Sequence, residues 1–210
     1  MDYFYPLCRY LQKRTLAVCS NFEVEGSENV PPMGALIIVS NHMSNIDPSI
    51  LSCAINRRLR FFAKDTLFKG FPISQILRSY GAYPLRRGQP DIRAIKWATD
   101  QLRKDTALVV FPEGTRNNGK MIKGKIGTAR LIKMTQSTIL PVAITGTERL
   151  QHVGRVVNPT GDIKVNIGTP FSLPTIEGNL SKKVFESLTD IIMLRIANLL
   201  PRKYKGVYDV

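Results

Sequence analysis

Six short apolar runs, several rich in β-branched residues, recur along the chain near 35–40, 59–63, 81–85, 107–111, 139–145 and 162–168. Helix-like stretches lie between them near 48–56, 66–79, 90–103 and 124–135. Runs of this length bounded by turn residues read as strands buried on both faces. Their alternation with helical segments predicts an α/β fold with a mixed, largely parallel sheet flanked by helices. The chain has 210 residues, 43% of them hydrophobic, enough for a substantial core. No low-complexity linker or internal repeat divides it, so one domain over residues 21–210 is expected, preceded by an N-terminal amphipathic helix over residues 1–20.

Two of these strands end in chemistry-bearing turns. After Ala35–Val39 comes Ser40-Asn41-His42-Met43-Ser44-Asn45-Ile46-Asp47-Pro48. Asp47-Pro48 reads as a helix start, which leaves His42 in the loop leaving the strand. A carboxylate on one imidazole nitrogen fixes the tautomer and frees the other nitrogen to take a proton, the wiring of a general base. The chain has only two histidines. The second, His152, has no carboxylate at useful local spacing apart from Glu148 and is the weaker candidate. A helix cap at Asp47 beside a hydrogen-bonded loop histidine explains the same residues without catalysis. One His and one Asp with no cysteine close by are too few to hold zinc, so no metal is expected.

The second turn, Phe111-Pro112-Glu113-Gly114-Thr115-Arg116, follows the apolar run Ala107–Val110. Ligands of open α/β sheets bind at such strand ends. Glu113 offers an acceptor for a substrate hydroxyl, Gly114 permits close backbone approach, Thr115 adds a hydroxyl and Arg116 can clamp a phosphate. The set suits a small phosphorylated polyol. A solvated surface turn is the plain alternative.

With both turns in place, the chain resembles the glycerolipid acyltransferases of the 1-acylglycerol-3-phosphate acyltransferase type, which carry an Asn-His-x4-Asp block followed by a Phe-Pro-Glu-Gly-Thr-Arg block. Two weaker blocks have counterparts in Gly81–Arg87 and Leu140–Ile144, and the resemblance covers roughly residues 20 to 170. It implies that His42 deprotonates an acceptor hydroxyl and that Asp47 orients it. It implies that Arg87, or its neighbour Arg86, holds the acceptor's phosphate, that Glu113 and Gly114 shape the acceptor pocket, and that Arg116 adds a second phosphate contact. The reaction it implies is direct attack of the hydroxyl on an acyl thioester, with acyl-coenzyme A or acyl-carrier protein as co-substrate and no cofactor. The acceptor would be lysophosphatidic acid and the product phosphatidic acid. Glycerol-3-phosphate or another lysophospholipid is the alternative acceptor.

Thirty Lys and Arg against sixteen Asp and Glu give a formal charge of +14, which favours polyanionic partners, lipid phosphates and nucleic acid both qualifying. No window approaches the roughly 18 continuous apolar residues of a membrane-spanning helix, and Arg9, Lys13 and Arg14 interrupt any signal-peptide core. The stretch from Tyr3 to Val18 mixes aromatics, leucines and basic residues, so as a helix it either lies in the interface of an anionic membrane or packs on its own domain. Ser181 to Leu200 reads first as a core-packing helix. Cys8, Cys19 and Cys53 are odd in number and unclustered, which places the chain in a reducing compartment. Peripheral or monotopic attachment at the cytoplasmic face of a membrane is the expectation.

Three rival readings compete. Gly119–Ile126 matches the phosphate-loop pattern until its last place, where Ile126 stands instead of Ser or Thr. A serine hydrolase lacks its Gly-x-Ser-x-Gly turn. A non-catalytic module binding anionic membrane or nucleic acid accounts for the charge, but the aromatics outside the N-terminal segment are not interleaved with cations and His42, Asp47 and Glu113 stay unexplained. No nucleic-acid partner is expected.

Overall fold

The computed structural model describes residues 3–86 and 91–209. Its centre is a seven-stranded sheet in the order β1-β7-β6-β2-β5-β3-β4. The strands are β1 (Ser20–Glu25), β2 (Leu36–Ser40), β3 (Leu59–Lys64), β4 (Ala82–Leu85), β5 (Ala107–Val110), β6 (Thr138–Thr145) and β7 (Gly161–Ile167). β6, β2, β5, β3 and β4 run parallel to one another, β7 runs antiparallel to β6, and β1 lies parallel to β7 at the edge. The sheet is therefore mixed and mainly parallel, as the alternating pattern predicts.

β2 lies at the centre, with every residue buried, which is why it reads as an unbroken apolar run. The helices are α1 (Phe4–Cys19), α2 (Asp47–Ala54), α3 (Ile73–Tyr80), α4 (Ile92–Leu102), α5 (Gly127–Thr135), α6 (Lys182–Ala197) and the short α7 (Arg202–Lys205). Local chemistry sets their starts. Pro48 opens α2, the Asp91 carboxylate accepts from the Ala94 N–H at 3.1 Å at the head of α4, and Ser181 caps α6 through Val184.

Two elements depart from expectation. The stretch 66–79 is not one helix. It divides into a 3-10 turn at Asp65–Phe68 and α3, because Gly70 and Pro72 interrupt it and proline can neither donate in a helix interior nor tolerate a helical residue before it. β1 is an added edge strand whose burial alternates residue by residue, with Phe22 and Val24 against the core. Trp97 packs against the core as expected, stacked on Tyr83 with ring centroids 4.5 Å apart. α6 also packs on the core, through Leu188, Ile192, Met193 and Ile196.

α1 packs on its own domain along one face. Leu16 is buried, the Tyr5 hydroxyl accepts from the Leu59 N–H at 3.2 Å, and the Arg9 guanidinium donates to the Ile55 carbonyl at 3.2 Å. The opposite face leaves Tyr3, Leu7, Tyr10, Leu11 and Val18 exposed. No helix among the described residues is long and apolar enough to cross a membrane.

Candidate active site

Because β6, β2 and β5 are adjacent and parallel, their carboxyl ends meet at one edge of the sheet. β2 runs out into Asn41 and His42, β5 into Phe111–Arg116, and β6 into Gly146 and Thr147. Asn41 fixes the first turn to the neighbouring strand, its side chain donating to the Ile144 carbonyl at 2.9 Å and accepting from the Ile144 N–H at 2.8 Å.

The imidazole and the carboxylate expected to pair do so. His42 Nδ1 lies 2.8 Å from Asp47 Oδ2. That same oxygen accepts from the backbone N–H groups of Met43 at 2.7 Å and Ser44 at 2.8 Å, while Oδ1 accepts from the Thr147 hydroxyl at 2.7 Å. Asp47 is fully buried, so three donors besides the imidazole hold a carboxylate that would otherwise be costly to bury. An ionised carboxylate can only accept, so Nδ1 carries the proton and Nε2 holds the lone pair. The His42 ring stacks on Phe111 with centroids 4.0 Å apart and an interplanar angle of 18°. The ring is pinned from its face and from one edge, and Nε2 has no hydrogen-bond partner among the described residues.

Glu113 does something other than offer an acceptor to a substrate hydroxyl. Its carboxylate is fully buried and already engaged: Oε1 accepts from the His42 N–H at 3.0 Å and Oε2 from the Ile122 N–H at 3.0 Å, while the Asn117 amide bridges both oxygens at 2.9 and 2.7 Å. Asn117 in turn donates its backbone N–H to the His42 carbonyl at 2.7 Å. Both backbone polar groups of His42 are thereby tied to the second turn. Burial pushes the Glu113 carboxyl above the usual carboxylate range, opposed by the Asn117, Ile122 and His42 donors.

The outer half of the second turn is open. Thr115 and Arg116 are exposed, and Arg116 has no carboxylate partner among the described residues. Gly114 has φ +66°, a left-handed conformation that favours glycine, and the end of the Lys125 side chain lies against it. Lys125 is itself held by its backbone N–H bond to the Pro112 carbonyl at 2.8 Å, and its side chain runs past Gly114. Arg87, the expected phosphate contact, lies outside the described residues. Arg86 is exposed at the end of β4, on the same strand-end edge, with its N–H 3.2 Å from Asp91. His152 sits exposed at the start of a 3-10 turn, its Nδ1 accepting from Gly154 at 3.2 Å, away from any carboxylate.

Sequence reasoning did not find Thr147 or Asn117. Thr147 follows a strand end, which is a usable signal, but the contact joins positions 100 residues apart. Asn117 follows Arg116 directly, and its role depends on a side-chain direction that spacing does not encode.

The model of the family described as Acyltransferase matches residues 21–145, more than half of the chain, and the chain belongs to that family. Among curated relatives it is 30% identical over 178 residues to the 1-acyl-sn-glycerol-3-phosphate acyltransferase of Streptococcus pneumoniae, covering 83% of this chain and 65% of that one. It is 28% identical to the chloroplastic LPAT1 of Arabidopsis thaliana, covering 70% and 42%, and 28% identical to the Borreliella burgdorferi enzyme of the same description, covering 84% and 70%. Against the three relatives first matched, the chain spans 42 to 65% of their length. The crystal structure of the 1-acyl-sn-glycerophosphate acyltransferase PlsC from Thermotoga maritima superposes with a TM-score of 0.70 at 27% identity, covering 90% of this chain and 76% of that one.

Proposed function

We propose that the chain transfers a fatty acyl group from a thioester to the hydroxyl of 1-acylglycerol-3-phosphate, forming phosphatidic acid for phospholipid synthesis. The observation that carries this reading is the buried Asp47 carboxylate on His42 Nδ1, which leaves Nε2 without a partner among the described residues, on the same strand-end edge as the turn that carries exposed Arg116. The relatives' printed descriptions support the choice of acceptor.

In this mechanism Nε2 takes the proton of the acceptor hydroxyl as its oxygen attacks the thioester carbonyl. The tetrahedral adduct collapses with cleavage of the carbon–sulfur bond, and the imidazolium returns the proton to the leaving thiolate. Asp47 stabilises the imidazolium without taking its proton. Arg116, Lys125 and one of Arg86 or Arg87 hold the acceptor's phosphate, Gly114 and Thr115 line its approach, and Glu113 keeps His42 in place. Acyl-coenzyme A or acyl-carrier protein supplies the acyl group, and no cofactor is required.

The reaction belongs at the cytoplasmic face of an anionic membrane, with peripheral or monotopic attachment. The exposed stripe of α1 supports this, since Tyr3, Leu7, Tyr10 and Leu11 stand beside Lys13 and Arg14 and suit rings in the headgroup zone and cations toward lipid phosphate. Mass analysis of the lipid formed from palmitoyl-coenzyme A and 1-acylglycerol-3-phosphate on anionic vesicles tests the reading. Phosphatidic acid carrying the new chain is the expected product. Product from glycerol-3-phosphate or an unphosphorylated monoacylglycerol at equal efficiency would reject the assigned acceptor.

A further inference from the structure

The two turns that grip His42 are themselves fastened from outside by one short segment late in the chain. α7 (Arg202–Lys205) and the 3-10 turn Gly206–Tyr208 that follows it lie beyond residues 21–145, the part matched by the family model. They carry Tyr204 and Tyr208, both buried. The segment is knitted to the loop after Asn117: the Met121 N–H donates to the Tyr204 carbonyl at 2.9 Å, and the Met121 carbonyl accepts from the Val207 N–H at 3.2 Å. Gly206, at φ +56°, lies so close that a Cβ there would run into the Met121 backbone.

Each tyrosine then reaches a different turn. The Tyr208 hydroxyl accepts from the Gly124 N–H at 3.1 Å and donates to Asp190 on α6 at 3.1 Å. Two residues before Gly124, the Ile122 N–H donates to Glu113, whose other oxygen accepts from the His42 N–H. This side holds the backbone of the base. The Tyr204 hydroxyl donates to Glu148 at 2.9 Å, in the turn after β6. Glu148 follows directly on Thr147, whose hydroxyl donates to Asp47, the carboxylate on His42 Nδ1. This side holds the ring. The second Glu148 oxygen is buried with no partner among the described residues, so Tyr204 supplies that carboxylate's one hydrogen bond there. Burial, with the Glu148 carboxylate beside it, pushes the Tyr204 hydroxyl up to about 12, and it therefore remains a donor across the neutral range.

The structure assigns Tyr204 and Tyr208 as positioning residues for the base, a clasp that ties the turns after β5 and β6 together and so fixes the direction of His42 Nε2. This rests on the acyl-transfer reading above. A reacting group has to stay within roughly 0.5 Å and 10–20° of its working geometry, and misplacement by about 1 Å costs on the order of 10²-fold in rate. Neither hydroxyl is bonded to His42, so both act through the turns. Without the clasp each turn keeps its own inner bonds but loses its tie to the other, and the site loosens locally while the sheet stays closed.

The double variant Tyr204→Phe/Tyr208→Phe, which keeps both rings and removes only the hydroxyls, tests the assignment. With palmitoyl-coenzyme A and 1-acylglycerol-3-phosphate its kcat is expected to fall about tenfold at unchanged KM for the acceptor. In hydrogen-exchange NMR its His42 amide should accelerate by a larger factor than the amide of Ile38 inside β2. Each single Phe variant should show a smaller change of the same kind. Ala98→Gly, buried in the middle of α4, lowers overall stability outside both turns and should keep the native kcat. A native kcat in the double variant, a loss confined to KM, an equal kcat loss in Ala98→Gly, or His42 and Ile38 amides accelerated by one common factor would overturn the clasp. A native chain that transfers no acyl group would reject the acyl-transfer reading, while selective acceleration of the His42 amide would still support the clasp.

Discussion

The turns after β2 and β5 leave adjacent parallel strands, yet they are spent differently. Around His42 the polar groups are engaged within the protein: Asp47 accepts four hydrogen bonds, both backbone groups of His42 are bonded, and Nε2 is left without a partner among the described residues. The turn after β5 is split. Its inner member, Glu113, faces the protein and braces the first turn, while Thr115 and Arg116 are exposed and Arg116 has no carboxylate partner among the described residues. Acid–base chemistry needs one nitrogen fixed in direction, which calls for a buried and satisfied network. Binding a phosphate needs cations whose partners are absent until substrate arrives. Neighbouring residues of one sequence block can therefore serve opposite purposes, and burial separates them.

The contrast is broken most severely at its centre. His42→Ala should lower acceptor-dependent thiol release by about 10² to 10⁴-fold, with the urea midpoint close to native because the ring is a minor part of the core. Asp47→Ala should lower turnover to a similar extent and also destabilise the fold. It strands the Met43 and Ser44 N–H groups and the Thr147 hydroxyl, at about 1–3 kcal/mol for each group left unpaired. Equilibrium urea unfolding separates these two variants, and equal midpoints would mean that the network around Asp47 is looser than described.

Glu113→Ala sharpens the comparison within the second turn. Loss of the brace should reduce kcat with little change in KM for the acceptor, whereas Arg116→Ala should raise that KM about tenfold at nearly constant kcat. Steady-state kinetics with phosphorylated and unphosphorylated acceptors reads both, and a KM effect confined to Glu113→Ala would reverse the roles assigned.

The smallest effect is on stability against pH. Burial raises the Glu113 carboxyl above 4.5, so across that window the folded state holds a proton that the unfolded state has released. Its contribution to stability is therefore largest below that window, declines as pH rises through it and levels off above. The difference in unfolding free energy between the native chain and Glu113→Gln, followed from about pH 4.5 upward, should show that decline.

Much of this was legible in the sequence because the relevant signals are local. The buried strands announce themselves as apolar runs, and His42 and Asp47 meet across a single turn. β1 escaped because an edge strand with Asn21, Glu23 and Glu25 facing outward resembles a polar connection. The break before α3 was written in Gly70 and Pro72, but the apolar spacing on either side masked it. Thr147 and Asn117 are assembled by sheet register and turn direction, which no short window contains. Glu113 shows the limit most clearly: its identity fits a substrate contact, and only the fold reveals that its carboxylate turns inward.

The central claim is that Asp47 holds His42 with its proton on Nδ1 and presents a bare Nε2. Long-range proton–nitrogen NMR spectra of the imidazole rings test it directly, and with only two histidines a His152→Gln variant completes the assignment. In the native chain the His42 ring should carry its proton on Nδ1, and Asp47→Asn should lose that fixed tautomer. A His42 ring protonated at Nε2, or one exchanging freely between tautomers in the native chain, would contradict it.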